Sequence, residues 1–66
     1  MTANVALFAA TVRAGIRFED HRSGRTLTVT RALSLTPGVV TILADDESGT
    51  PRALELTSDA VIFPVA

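Results

Sequence analysis

The sequence predicts a small all-β domain of five or six short antiparallel strands, and three observations lead to this prediction. The chain has 66 residues, which is enough for one small core and no second domain. Turn-forming residues recur at intervals of roughly ten to fifteen residues. Between the turns, apolar and polar residues alternate with period two, as in strands with one buried face.

Three turn signals divide the chain. Gly24 ends the segment His-Arg-Ser-Gly, at a position where a tight hairpin requires positive φ. Pro37 and Gly38 match the two central positions of a type II turn, and residues 45–51 combine Asp, Ser, Gly and Pro. These signals indicate a meander of short strands.

Side-chain parity assigns the strands and the core. A long strand is predicted from Arg25 to Leu35, in which one parity is apolar: Leu27, Val29, Leu33 and Leu35. Arg31 interrupts that parity, which indicates a bend or a bulge. The bulky residues of consistent parity are expected to form most of the core: Ile16, Phe18, Leu27, Val29, Ile42, Leu54, Leu56, Val61 and Phe63.

The N-terminal segment has two interpretations. Val5, Phe8, Ala9 and Val12 have helical spacing behind a capping Asn4. The same residues fit a strand, since the segment is rich in Val, Phe and Thr. Residues 1–14 are therefore expected to form an N-terminal edge strand or a short helix.

The order of the remaining segments resembles the SH3-like small barrels. Gly15 opens the strand Ile-Arg-Phe-Glu-Asp, residues 23–29 begin a long bent strand, and residues 58–60 form a turn of 3-10 type before the last strand, Val61–Val65. The resemblance covers residues 15–66 and implies a small barrel, with residues 1–66 as a single domain. It does not imply recognition of proline-rich segments, because the chain has no Tyr or Trp to line that groove.

The side chains available for chemistry are few. The chain has one His and no Cys or Lys, so we expect no catalytic residue, no metal site, no cofactor, no small-molecule substrate and no enzymatic activity. His21 is expected to be an exposed turn residue, and Asp45, Asp46 and Glu47 a solvated hairpin tip without calcium-loop spacing.

Length and composition also bear on location. No apolar stretch approaches the roughly 20 residues that span a bilayer, and no basic residue precedes the apolar N-terminal segment as in a signal peptide. We expect a cytoplasmic protein with no membrane partner. Heavy use of Ala, Thr, Val and Arg is typical of a GC-rich bacterial or phage genome.

Charge is divided unevenly along the chain, although the net charge is −1. Residues 1–33 carry +3 and residues 34–66 carry −4. Four arginines would face phosphates if the fold brings them together: Arg13, Arg17, Arg22 and Arg25. A small nucleic-acid-binding regulator is therefore the alternative function.

The apolar content gives the leading hypothesis. Apolar residues make up 47% of the chain, more than a core of this size needs. We expect the surplus to form a protein interface at Val5, Leu7, Phe8, Val12 and Ile62. The sequence thus indicates a non-enzymatic binding or adaptor module, in a regulatory or phage assembly, whose partner is a second copy or a larger protein.

Overall fold

The computed structural model describes residues 6–65, which form two antiparallel sheets. Four strands make a curled sheet, or half-barrel, in the order β2-β3-β4-β5, and two short strands, β1 and β6, pair separately. The bounds are β1 Leu7–Phe8, β2 Arg17–Asp20, β3 Arg25–Thr36, β4 Val39–Asp45, β5 Pro51–Thr57 and β6 Val61–Ile62. The predicted all-β class with five or six antiparallel strands is confirmed.

The predicted turns connect these strands. Residues 21–24 join β2 to β3, and Pro37-Gly38 joins β3 to β4. Gly24 and Gly38 have φ of +71° and +78°, values that side chains with a Cβ rarely adopt. In the turn before β6, the N–H of Ala60 donates a hydrogen bond to the carbonyl of Thr57 over 2.9 Å.

No helix in residues 6–65 is long and apolar enough to cross a membrane.

Strand β3 contains the predicted irregularity. Val29 lies opposite Ala44 and Arg31 opposite Leu43, so Thr30 is an extra residue, or bulge. The Thr30 hydroxyl donates to the carbonyl of Leu43 over 3.0 Å. The bulge reverses parity, and a second shift between Leu33 and Thr36 follows it.

The parity predicted beyond the bulge is therefore wrong. Ala32 packs against the core instead, and Leu35 is 79% exposed. A bulge adds one residue to one strand, so Ala32 and Leu33, which follow it, change face, and Leu35 lies within the second shift.

The core lies inside the curl. Its buried residues are Ala9, Val12, Phe18, Leu27, Val29, Val40, Ile42, Ala44 and Ile62. Of the predicted core, four members are buried and three more, Ile16, Leu54 and Leu56, pack against it half-buried. The assignment of Val61 and Phe63 to the core is wrong, because they are 48% and 52% exposed.

The register of β6 explains this reversal. Leu7 lies opposite Ile62 and Phe8 opposite Val61. Directly opposed side chains share a face, so Ile62 turns inward together with Leu7 while Val61 turns outward with Phe8. Phe63 is two residues beyond Val61 and is likewise exposed.

The N-terminal segment divides between the two interpretations. Leu7–Phe8 is a strand, and Ala9–Thr11 is one turn of 3-10 helix. The N–H of Ala9 donates to the carbonyl of Ala60 over 2.8 Å, which holds the 3-10 turn against the residue before β6. Ala9 and Val12 are thereby buried.

Candidate functional site

A groove opens between the two ends of the half-barrel sheet. Its volume is about 270 Å³, and strands β2, β5 and β6 all contribute to its lining. Apolar side chains form one part of that lining: Phe18, Leu54, Leu56, Val61, Ile62 and Phe63. Charged and polar residues form another: Glu19, Asp20, His21, Arg22 and Glu55.

One wall of the groove is the free edge of β5. The N–H of Ser58 donates to the carbonyl of Gly38 over 2.9 Å, so Ser58 faces the β4 side. Alternate residues of a strand direct their backbone groups to the same side. The N–H and C=O groups of Leu56 and Leu54 therefore point toward β4. The N–H and C=O groups of Ala53 and Glu55 therefore point away from β4, where the described chain provides no neighbouring strand.

The opposite wall, along β2, is covered in its first half. Phe18 forms an antiparallel bridge with Pro64, and the N–H of Val65 donates to the carbonyl of Arg17 over 2.8 Å. The chain after β6 thus runs along the outer edge of β2. Between these two walls, the longer stretch of backbone edge that residues 6–65 leave open is on β5.

An exposed apolar face adjoins the groove. Phe8 and Val61 are cross-strand partners with 58% and 48% of their surface exposed, and Phe63 is 52% exposed. We call these three residues the apolar face. Because Val61 and Phe63 also line the groove, the apolar face and the groove form one continuous surface.

The predicted interface residues fall into different environments. Phe8 is exposed as expected, and Leu7 is half-buried. The expected exposure of Val12 and Ile62 is wrong, because they are only 5% and 7% exposed. The 3-10 turn directs Val12 inward, and pairing with Leu7 does the same for Ile62. Val5 lies outside the described residues.

Sequence reasoning placed Val61 and Phe63 in the core and so missed them as surface residues. A two-residue strand carries too little periodicity to fix which side chains turn inward. The sequence carries no signal for this orientation, because the pairing of β6 with β1 decides it.

The predicted arginine cluster is divided between two faces of the β2–β3 hairpin. Arg25 lies opposite Asp20, on the same parity as the buried Phe18, whereas Arg17 belongs to the outer parity. Nη1 of Arg25 lies 3.5 Å from Oδ2 of Asp46, so this guanidinium is already paired.

The other two arginines lie elsewhere. Arg13 is exposed just after the 3-10 turn, and Arg22 lies in the loop at the end of the groove. Arg17 and Arg25 thus face opposite sides of the hairpin, and no single strand face presents all four.

Asp46 is the one member of the acidic tip that is buried, and the expectation of a solvated side chain is wrong for it. Its residue is 6% exposed. Oδ1 accepts hydrogen bonds from the N–H of Ser48 at 3.0 Å, the Ser48 hydroxyl at 2.7 Å and the N–H of Thr50 at 2.9 Å. Oδ2 accepts from Nε of Arg52 at 3.1 Å. The pattern Asp-x-Ser-x-Thr was the available signal, since Asp folds such turns onto itself.

These contacts fix the charge of Asp46. The Ser48 hydroxyl, the Thr50 N–H and the Arg52 guanidinium hold the pKa of Asp46 well below its usual range, against the opposing effect of burial. The Asp46 carboxylate directly follows the end of β4. Arg25 at the start of β3 and Arg52 on β5 both form ion pairs with it. Asp46 therefore ties three strands together and supports the curl of the sheet.

Among the titratable side chains of the groove, that of Asp20 has structural hydrogen bonds. The Asp20 carboxylate accepts from the N–H of Arg22 at 3.2 Å and from the Ser23 hydroxyl at 2.9 Å, which shapes the β2–β3 loop. His21 is exposed in that loop. Within residues 6–65, no three His, Cys, Asp or Glu side chains are grouped so as to hold a metal ion.

Comparison of the chain with known protein families, curated proteins and solved structures finds no match. The fold and the site define a small all-β chain with a curled antiparallel sheet. Its groove is bounded by a free strand edge and an exposed apolar face.

Proposed function

We propose that the protein is a non-enzymatic binding module that docks on another protein chain through its apolar face and the adjoining groove. The observation that carries this proposal is the side-by-side exposure of Phe8, Val61 and Phe63. Phenylalanine is enriched at the buried centres of protein interfaces, and contiguous exposed apolar residues mark such sites.

The free strand edge in the groove favours a protein partner. A strand edge binds an extended chain through backbone hydrogen bonds along its length. The groove supplies such an edge on β5.

The arrangement of the arginines supports the same choice. Arg25 and Arg52 both pair with Asp46, and Arg17 lies on the other face of its hairpin. A phosphate backbone requires cations along one surface. We therefore rank protein docking above nucleic-acid binding.

We also propose that the half-barrel is of the SH3-like kind. The long bent β3 and the single turn before β6 support this arrangement, as does the glycine that precedes β2.

Site-specific photo-crosslinking in cells tests the function. A benzophenone side chain replaces Phe8 or Phe63, and a matched control carries it at Glu47, which is exposed in the β4–β5 loop away from the groove. We expect one discrete adduct from both face positions and none from the control. An adduct of twice the chain mass of 6.9 kDa would identify a second copy, and a larger one a different protein.

Competition makes the result specific. Excess wild-type protein should remove the adduct in a lysate, whereas the Phe63→Glu variant should not, after thermal melts show that this variant folds. The same adducts from all three positions, or none from either face position, would contradict the proposed function.

A further inference from the structure

We propose that the groove accepts one extended segment of a partner protein, which adds as a strand to β5 and presents basic side chains opposite Glu55 and near Glu19. This inference rests on the proposed function and names the chemistry of the partner. Three features of the groove lead to it: its backbone edge, its apolar lining and its uncompensated acidic residues.

The backbone edge selects an extended chain. Ala53 and Glu55 direct their N–H and C=O groups away from β4, and within residues 6–65 no strand pairs with them. Pro51 begins the strand and lacks an N–H, which limits uncontrolled pairing at that end. An added strand would form its hydrogen bonds at Ala53 and Glu55.

The lining selects alternate apolar side chains. Leu54 and Leu56 turn toward the core and line the groove together with Phe18 and Phe63. Residues of the added strand that lie on this inner face would contact these four side chains. Because side chains alternate along a strand, every second residue of the segment is expected to be apolar.

The acidic charges of the groove favour basic residues at the outward-facing positions of the partner segment. Glu19 and Glu55 are exposed on the groove, and the two ion pairs found in the described chain both belong to Asp46. Arg22 is the single arginine that lines the groove. The partner residue directly opposite Glu55 shares its outward face, where a lysine or arginine would form a cross-strand ion pair.

Synthetic peptides of alternating residues test this inference by NMR titration of the labelled protein. A valine–lysine peptide is expected to bind, with shifts at Ala53, Glu55 and Phe63, and a valine–glutamate peptide is expected to bind at least about tenfold more weakly. The Glu19→Gln/Glu55→Gln variant should bind the lysine peptide about fivefold more weakly. The matched control Glu47→Gln/Asp59→Asn makes the same charge change outside the groove and should leave the affinity unchanged.

N-methylation of the peptide tests strand addition itself. We expect antiparallel addition, which is the more stable pairing per residue and in which the residues opposite Ala53 and Glu55 carry the pairing N–H groups. These residues are the lysines. Methylation of the lysine nitrogens should therefore abolish binding, whereas methylation of the valine nitrogens should largely preserve it.

Equal binding of the two methylated peptides, or of the lysine and glutamate peptides, would overturn the inference. A failure of all peptides to bind would also overturn it, but site-specific crosslinking at Phe8 and Phe63 would then leave the proposed function standing. Loss of the crosslinks as well would contradict both this inference and the proposed function.

Discussion

Phe8 lies directly opposite Val61 in the β1–β6 ladder, and both side chains are turned to solvent. In the same ladder, the opposed side chains of Leu7 and Ile62 point inward. The small sheet therefore has one face in the core and one apolar face exposed to solvent.

The two phenylalanines that sequence reasoning placed in the core should differ sharply in their effect on stability. Phe18→Ala should lower the free energy of unfolding by about 3–5 kcal/mol, because Phe18 is 3% exposed. Phe63→Ala should cost less than about 1 kcal/mol, because half of Phe63 is already in solvent. Urea unfolding of both variants measures this, and equal losses would contradict the assignment of Phe63 to the surface.

Asp46 should make stability depend on pH in the acid range. The folded-state pKa of Asp46 is lowered by its hydrogen bonds to Ser48, Thr50 and Arg52, while an unfolded Asp has a pKa of about 3.9. The stabilisation is thus fully present above about pH 4 and is lost as the pH falls toward the folded value.

Urea midpoints at about pH 7 and about pH 3 test this dependence. The Asp46→Asn variant should be less stable than the wild type at the higher pH and should lose less on acidification. Glu47→Gln is the control, since Glu47 is exposed in the same loop. If the urea midpoints of the wild type and of the Asp46→Asn variant fell in parallel on acidification, the claim that the charged Asp46 carboxylate stabilises the fold would be contradicted.

The dispersed arginines predict weak binding to nucleic acid. At physiological salt, a labelled DNA duplex should bind no more tightly than about 10 µM, the range of non-specific contacts. The Arg17→Ala/Arg25→Ala variant should change this little, because Arg17 and Arg25 lie on opposite faces. Tight binding by the wild type that this variant abolishes would instead support a nucleic-acid function.

Much of the fold could be predicted from the sequence, because its signals are local. Gly24 and Pro37-Gly38 fix two turns, the alternation around Leu27 fixes the long strand β3, and the run of apolar residues around Ile42 fixes β4. The irregularity at Arg31 was also visible, as a break in period two.

The wrong predictions concern side chains whose orientation depends on pairing between strands that are distant in the sequence. A bulge was predicted near Arg31, but its effect on the parity of Leu33 depends on which strand gains the extra residue, and the second shift at Leu35 was not predicted. Which residues of β6 turn inward depends on its register with β1, and the burial of Asp46 depends on arginines from two other strands. The groove itself combines residues from distant parts of the chain, which local periodicity does not register.

Hydrogen exchange at the β5 edge tests the account most directly. In the free protein, the amides of Ala53 and Glu55 should exchange rapidly, whereas those of Leu54 and Leu56, which face β4, should be protected. Addition of the valine–lysine peptide should protect Ala53 and Glu55 and leave Leu54 and Leu56 as they were. Protection of Ala53 and Glu55 in the free monomer, or rapid exchange that the bound peptide does not slow, would contradict the claim that this edge is the docking site.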